Sequence, residues 1–221
     1  MSVKKILAAL SAAIILCGLI ASASCAASFK PGERAADLWY NKLDCAKHGA
    51  YLKYKMTVSD DKGVDSPLEI EVTIKKYLSS VTLKDKDGTM TLLTDMENDR
   101  TTVISHTDKS FMELGQAEPG SVQMIGNIAE FKKPELSTLE PEAGTEKIDG
   151  KTYDVDTVNI GGNVYKYYFD PGTDVWRYWF AGGQMMEILE YKASAESRLF
   201  AVPADYKRIE QPKEKSGDKK Q

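Results

Sequence analysis

The sequence contains few of the side chains that enzymes use for acid, base or metal chemistry. Its 221 residues include two histidines and three cysteines. Neither His48 nor His106 has a second ligand at the spacing of a zinc site or a metalloprotease helix, and we interpret both as solvated turn residues. No serine lies in a nucleophile elbow, and no cysteine has a recognisable histidine partner. We therefore expect a protein that is not an enzyme and that holds no metal and no cofactor.

An excess of basic residues is also missing. Lysine and arginine total 29 against 33 aspartate and glutamate residues, which gives a net charge of −4. Proteins that bind nucleic acid present a basic surface, so we do not expect nucleic acid as a partner. Residues 211–221 are polar without apolar periodicity and are predicted to form a disordered tail. Lysines in that tail leave contact with an anionic membrane surface open.

Long apolar runs are confined to the N-terminus. Two lysines precede an apolar stretch over residues 6–23 that ends in small residues, which is typical of a secretory signal peptide. We predict that residues 1–26 are the signal peptide, that cleavage follows Ala26 or Ala27, and that the mature protein is exported to the periplasm or cell envelope. Cys25 leaves a lipid anchor open as the alternative, although a serine stands three positions before it, where lipidation signals usually carry a large aliphatic residue.

The remaining residues, 27–210, have the length and apolar content of a single domain, and we expect a monomer. Two segments in this domain carry apolar residues at helical spacing. Residues 33–43 place Leu38 and Leu43 on one apolar face, which predicts a short N-terminal helix. Residues 121–131 carry apolar side chains three and four positions apart, which predicts a mid-chain helix.

Most other segments alternate between apolar and polar residues, as strands with one buried face do. Residues 52–58 and 68–74 are the clearest examples. Short turn signals such as residues 60–63 and 85–88 separate these segments, which predicts consecutive hairpins rather than βαβ units. The sequence therefore predicts a mostly β fold with helices, of the α+β class, built on a large antiparallel sheet.

One predicted strand carries aromatic residues on both of its faces. Trp176, Tyr178, Trp179 and Phe180 lie within five positions of each other. Such a strand is either buried on both sides as part of the core, or it forms an exposed aromatic shelf at the mouth of a ligand site. The sequence leaves both interpretations open.

Several short stretches carry a resemblance to a known family. They are Met90-Thr91-Leu92-Leu93-Thr94-Asp95, Lys109-Ser110-Phe111-Met112-Glu113-Leu114, Tyr167-Tyr168-Phe169-Asp170 and Leu199-Phe200-Ala201-Val202-Pro203-Ala204-Asp205-Tyr206-Lys207. In these stretches and in its order of elements, the chain resembles a poorly characterised bacterial branch of the outer-membrane lipoprotein carrier (LolA-like) superfamily. The resemblance implies a half-barrel: a curved antiparallel sheet whose concave face is covered by the N-terminal and mid-chain helices.

The resemblance and the apolar pattern together lead to two functional hypotheses. In the first, the protein holds a lipid, an acyl chain or a lipoprotein-like apolar ligand in the concave cleft. In the second, it binds no ligand and serves as a protein–protein interaction module of the envelope. The candidate ligand-binding residues are Met124, Ile125, Ile128, Phe131, Ile70, Val72, Trp176 and Trp179.

Overall fold

A computed structural model of the chain describes residues 34–38, 42–43, 48–59, 63–114, 142–160 and 162–210. Strands dominate this part of the chain. The N-terminal series consists of β1 Ala50–Ser59, β2 Asp65–Lys75, β3 Leu78–Asp85, β4 Gly88–Asp95, β5 Arg100–Ser105 and β6 Ser110–Leu114. The C-terminal series consists of β7 Glu142–Ile148, β8 Lys151–Ile160, β9 Asn163–Phe169, β10 Trp176–Ala181, β11 Gln184–Lys192 and β12 Lys207–Arg208.

All twelve strands belong to one open sheet in the order β12-β6-β5-β4-β3-β2-β1-β11-β10-β9-β8-β7. Strands β1–β6 form one meander and β7–β11 another, which confirms the predicted consecutive hairpins. The antiparallel pairing of β1 with β11 joins the two meanders in the middle of the sheet. Because β1 and β11 are far apart in the chain, this pairing fixes the fold as a whole rather than any local turn.

The two faces of the sheet differ in what they bury. We call the inner face the one that carries the main core, which includes Leu52, Ile70, Val81, Trp179 and Ile188. The opposite, outer face carries a separate and smaller core cluster under β8–β10. Alternation along each strand sends successive side chains to opposite faces, so both clusters come from the same strands.

The helices that the structure describes are short. Helix α1 spans four residues, Arg34–Asp37, and a 3-10 helix spans four residues, Ser197–Phe200. No helix in the described residues is long and apolar enough to cross a membrane. The predicted helix over residues 121–131 lies outside the described residues.

The expected α+β class is therefore wrong, because the described chain is nearly all β. Apolar residues at helical spacing show that a segment has one buried face, but they do not fix how long the helix is. Within the predicted helix 33–43, the described α-helix is limited to α1. The expectation of a purely antiparallel half-barrel is also wrong, since the sheet is open and mixed: β12 runs parallel to β6. A strand of two residues leaves too short a pattern to be recognised in a sequence.

After β11 the chain crosses to the outer face of the N-terminal meander. We call residues 195–206 the strap. One end is fixed where the Ala195 backbone N–H donates to the His48 carbonyl over 3.2 Å. Gly49 makes this approach possible, since a Cβ at that position would lie 2.5 Å from the Ala195 Cβ. The other end continues into β12, where the Lys207 and Ile209 backbone N–H groups donate to β6 and its flank.

Candidate functional site

The inner face of the N-terminal meander is an aliphatic surface. Strand register places six apolar side chains opposite one another in a single row across β1–β6. We call this the inner row, and its members are Leu52, Val72, Val81, Leu92, Val103 and Met112. Burial along the inner row decreases toward the edge of the sheet: Leu52 and Val72 are each 1% exposed, whereas Val103 and Met112 are half-buried.

The inner face of the C-terminal meander is aromatic instead. Trp176 and Trp179 are 1% and 0% exposed, respectively. Their ring centroids lie 6.1 Å apart, and the Tyr167 ring lies 5.7 Å from Trp176 and 6.1 Å from Trp179. Large rings in mutual contact bury much apolar area with few rotatable bonds. This trio therefore forms a stiff wall beside the aliphatic surface.

Helix α1 is held against the aromatic half by charge. The Arg34 guanidinium donates to Asp154 Oδ2 over 2.8 Å and to Asp156 Oδ1 over 3.4 Å. The Ala35 backbone N–H donates to the second oxygen of Asp156 over 2.9 Å. A hydrogen bond from the Gly172 backbone N–H, together with the one from Arg34, lowers the pKa of Asp154. The Asp156 side chain is only 2% exposed, so this contact is a partly buried latch between α1 and β8.

The structure brings together the four predicted site residues that it describes. Ile70, Val72, Trp176 and Trp179 all lie on the inner face within one core cluster. Their burial favours the core interpretation of the aromatic strand on this face. The other predicted residues, Met124, Ile125, Ile128 and Phe131, lie outside the described residues. Contact between any of the eight and a ligand stays a prediction.

The outer face of the C-terminal meander carries the other aromatic residues. Tyr153 and Tyr178 meet edge to face with centroids 5.3 Å apart, and the Lys151 ammonium lies 4.9 Å from the Tyr153 centroid. The Tyr168 hydroxyl donates to Glu146 Oε2 over 2.9 Å. Burial raises the pKa of Tyr178 to about 12. Aromatic residues therefore pack on both faces of this half, as the pattern of the predicted strand indicates.

The outer face of the N-terminal meander carries a polar network beside its apolar residues, and sequence reasoning missed this network. Thr91 Oγ1 lies 2.7 Å from Thr82 Oγ1 and 2.8 Å from His106 Nε2. The other ring nitrogen of His106 lies 2.9 Å from the Tyr206 hydroxyl of the strap. His106 is half-buried, and burial lowers its pKa. His106 lies in a turn, as predicted, but its interpretation as a solvated residue is wrong, because it is half-buried between Thr91 and Tyr206.

A cavity of about 590 Å³ lies at the other end of these strands, at the turn between β4 and β5. Its walls are the ends of β3–β6, the turn between β4 and β5, and the strap residues Phe200 and Val202. Its volume is in the range of small-molecule sites, roughly 300–1,000 Å³. Among the described residues, no three histidine, cysteine or acidic side chains are grouped closely enough to hold a metal ion.

Comparison with known proteins assigns no family. No protein-family description matches the chain, and none of the curated proteins matches it. Similar solved structures include an uncharacterized conserved protein from Thermus thermophilus, at 10% identity over 72% of this chain and 91% of that one, with a TM-score of 0.37. MucB in complex with MucA is 12% identical over 78% of this chain, with a TM-score of 0.35, and this chain spans 58% of its length.

A LolA superfamily protein from Nitrosomonas europaea is also among these similar structures. It is 12% identical over 70% of this chain and 90% of that one, with a TM-score of 0.31. At such low identities and TM-scores, the similarities transfer neither a family nor a function to this chain. The functional argument therefore rests on its own residues.

Proposed function

We propose that this protein is an exported binding protein of the cell envelope that holds an apolar ligand, such as an acyl chain or a lipoprotein's lipid, against the inner face of its sheet. The inner row carries this proposal. It is apolar on six consecutive strands, yet its burial decreases from Val72 to Val103 and Met112. An apolar surface that continues beyond the filled core usually marks a binding site.

The residues at the edge of this surface suit a ligand of variable shape. Met90 and Leu92 pack against the core while remaining partly accessible. Methionine side chains adapt to different apolar partners because they are unbranched and flexible. Tyr167, Trp176 and Trp179 are fully packed at the other end. We therefore place the ligand over β4–β6 rather than over the tryptophans, with Ile70 and Val72 as the deep end of the site.

A fluorescent long-chain fatty acid is the probe that tests this function. We expect saturable binding to the wild type. Val103→Trp should weaken it by filling the shallow end of the inner row while keeping it apolar. Val64→Trp is the matched control, since Val64 is 53% exposed and lies before β2. Absence of saturable binding to the wild type, or equal affinity in Val103→Trp at an unchanged thermal midpoint, would contradict the proposal.

Export is the other part of the proposal, and its support is the sequence of residues 1–26. Intact-mass measurement of the protein from its own envelope fraction tests it. A mature chain that begins after Ala26 or Ala27 is expected. A mature chain that begins at a diacylated Cys25 would show that the protein is anchored to the membrane rather than freely diffusing.

A second function, docking of another envelope protein, is favoured by the outer face of the C-terminal meander. Tyr178 and Phe180 are half-buried there, and Phe180 pairs with Met185, which is 38% exposed. Accessible aromatic and methionine side chains are typical of protein interfaces. Met185→Asp should abolish capture of such a partner and leave fatty-acid binding unchanged. Val103→Trp should weaken fatty-acid binding and leave partner capture unchanged.

A further inference from the structure

The cavity beneath the strap is separate from the proposed inner-face site. Strand register aligns Leu93 with Thr102, and Thr102 with Glu113, on the outer face of the sheet. The row next to it aligns Asp95 with Arg100. Side chains of these two rows form the floor of the cavity. The strand ends add four inner-face residues to the lining, Ser79, Thr94, Thr101 and Leu114. No residue assigned to the apolar ligand is in the lining.

The strap supplies the roof of the cavity. It is hydrogen-bonded at both ends, to the His48 carbonyl and to the backbone of Lys109 and Phe111. The 3-10 helix between these ends contacts β3. The side chains of Phe200 and Val202 complete the wall, and both are half-buried. A roof fixed at both ends holds the cavity open in one shape, so binding needs little reorganisation.

The cavity lining carries more negative than positive charge, but most of it has a partner. The charged groups of the lining are the carboxyl groups of Asp95, Asp99 and Glu113 and the guanidinium of Arg100. Arg208, which lies outside the lining, donates to Glu113 Oε2 over 2.6 Å, and Arg100 lies opposite Asp95 in the strand register. An anionic ligand would face three carboxylates, and a cationic ligand would find only Asp99, which is exposed, without a basic partner. Desolvated charges without a partner are costly, so this arrangement favours an uncharged ligand.

The cavity lining offers both hydrogen-bond donors and hydrogen-bond acceptors. Carboxylates accept, the Arg100 guanidinium donates, and the Thr102 hydroxyl does both. Within the described part of the chain, neither Arg100 nor Thr102 hydrogen-bonds another residue through its side chain. Leu78, Leu93 and Phe200 add apolar surface between these polar groups. A purely aliphatic ligand would leave the polar groups unpaired, which costs free energy.

We propose that this cavity binds a neutral saccharide. A sugar ring carries hydroxyl groups that both donate and accept hydrogen bonds, and its C–H face packs on aromatic and aliphatic side chains. Thr102, Arg100 and the carboxylates would bond the hydroxyl groups, and Phe200 would contact the ring face. This combination meets the mixed donors, acceptors and apolar surface of the lining without adding a charge.

The test uses the full mature chain and three neutral trisaccharides, maltotriose, cellotriose and triacetylchitotriose. Saturation-transfer NMR and calorimetry measure their binding up to millimolar concentrations. At least one is expected to bind saturably, and in amide-correlation spectra of the protein the chemical-shift changes should be confined to the β4–β5 turn, the adjoining ends of β3–β6 and the strap. Dodecanoate and dodecyltrimethylammonium, which carry opposite charges on the same chain, should not displace the bound sugar.

Two variants locate the binding. Thr102→Trp should fill the cavity and abolish binding, whereas Thr57→Trp, the same change at an exposed outer-face threonine of β1, should leave it unchanged. Phe200→Ala removes the half-buried ring and should weaken binding about three- to tenfold, the loss of one aromatic contact. Absence of binding by all three sugars would overturn the proposal, as would unchanged affinity in Phe200→Ala. These outcomes do not affect the inner-face proposal, whose probe and variants are different.

Discussion

The two meanders share one sheet, but different kinds of side chain shield its faces from water in each meander. The C-terminal meander packs aromatic side chains on both faces, with Trp176 and Trp179 inside and Tyr153, Tyr168 and Tyr178 outside. The N-terminal meander has an aliphatic row on its inner face, and its outer face mixes serine, threonine and histidine with Leu93 and Ile104. Bulky rings shield much of a strand by themselves, whereas a smaller apolar side chain such as Ile104, which is 1% exposed, needs another segment of chain over it.

This difference explains where the strap runs and where both proposed sites lie. The strap packs over the N-terminal meander, whose outer face is not covered by its own rings, and Tyr206 completes the hydrogen bonds of His106 there. The cover of that half is partial on both sides: the inner row is half-buried at its edge, and a cavity of about 590 Å³ lies under the strap. The aromatic half acts as the rigid support, and the aliphatic half carries the open surface.

The comparison predicts that the aromatic centre contributes most to stability. Trp179→Ala should lower the free energy of unfolding by about 3–5 kcal/mol, because it removes a large ring that is 0% exposed and leaves a cavity. Ile70→Val in the aliphatic half should cost only about 1 kcal/mol, since one methylene is lost. Urea denaturation measures both. A smaller loss in Trp179→Ala than in Ile70→Val would show that the aromatic half is not the support.

The latch between α1 and the aromatic half should give the next largest effect. Asp156→Ala removes two hydrogen-bond acceptors from the Arg34 guanidinium and the Ala35 N–H, each a charge-assisted bond, and should cost about 3 kcal/mol. Asp154→Ala is the control. Its side chain is 25% exposed, so water can replace much of what is lost. Equal losses in the two variants would mean that burial of Asp156 does not strengthen the latch.

The strands could be predicted from the sequence because their signal is local. Alternation in residues such as Leu52, Tyr54 and Met56 indicates which face is buried, and the turn residues indicate where each hairpin reverses. Pairing between strands that are far apart in the chain produces no local sequence pattern. The β1–β11 pairing, the parallel strand β12 and the strap all depend on contacts between distant parts of the chain. The sequence therefore predicts the first meander and β8–β11 of the second, but it predicts neither β7 nor how the two meanders are joined.

The candidate site shows the same limit. Ile70, Val72, Trp176 and Trp179 were recognisable as one apolar set, and the structure places them in one core. His106 gave no signal, because Thr91 lies 15 positions before it and Tyr206 lies 100 positions after it. The cavity was equally hidden, since its roof and floor come from opposite ends of the domain. Polar residues at alternate positions of a strand predict a solvent-exposed face, and the sequence does not indicate when a distant segment packs over that face.

The smallest predicted effect concerns the hydrogen bonds under the strap and is a dependence on pH. Burial lowers the pKa of His106 in the folded protein, so the unfolded chain binds a proton more readily than the folded one. The folded state is therefore favoured above the usual histidine pKa of about 6.5, and this contribution is lost as pH falls through the lower folded value. Urea denaturation between pH 7.5 and about 5 should show a decrease in the free energy of unfolding that His106→Gln lacks.

Carboxylates also titrate near the lower end of this range, so the difference between wild type and His106→Gln isolates the histidine. Tyr206→Phe is the second control: it keeps the ring that packs on His106 at a centroid distance of 5.6 Å and removes one hydrogen bond, at a cost of about 1 kcal/mol. Because the ring still shields His106 from water, the pH dependence should persist in Tyr206→Phe at a lower overall stability. A wild-type slope identical to that of His106→Gln would show that the strap leaves His106 as accessible to water as it is in the unfolded chain, and the N-terminal meander would then have no real cover on its outer face.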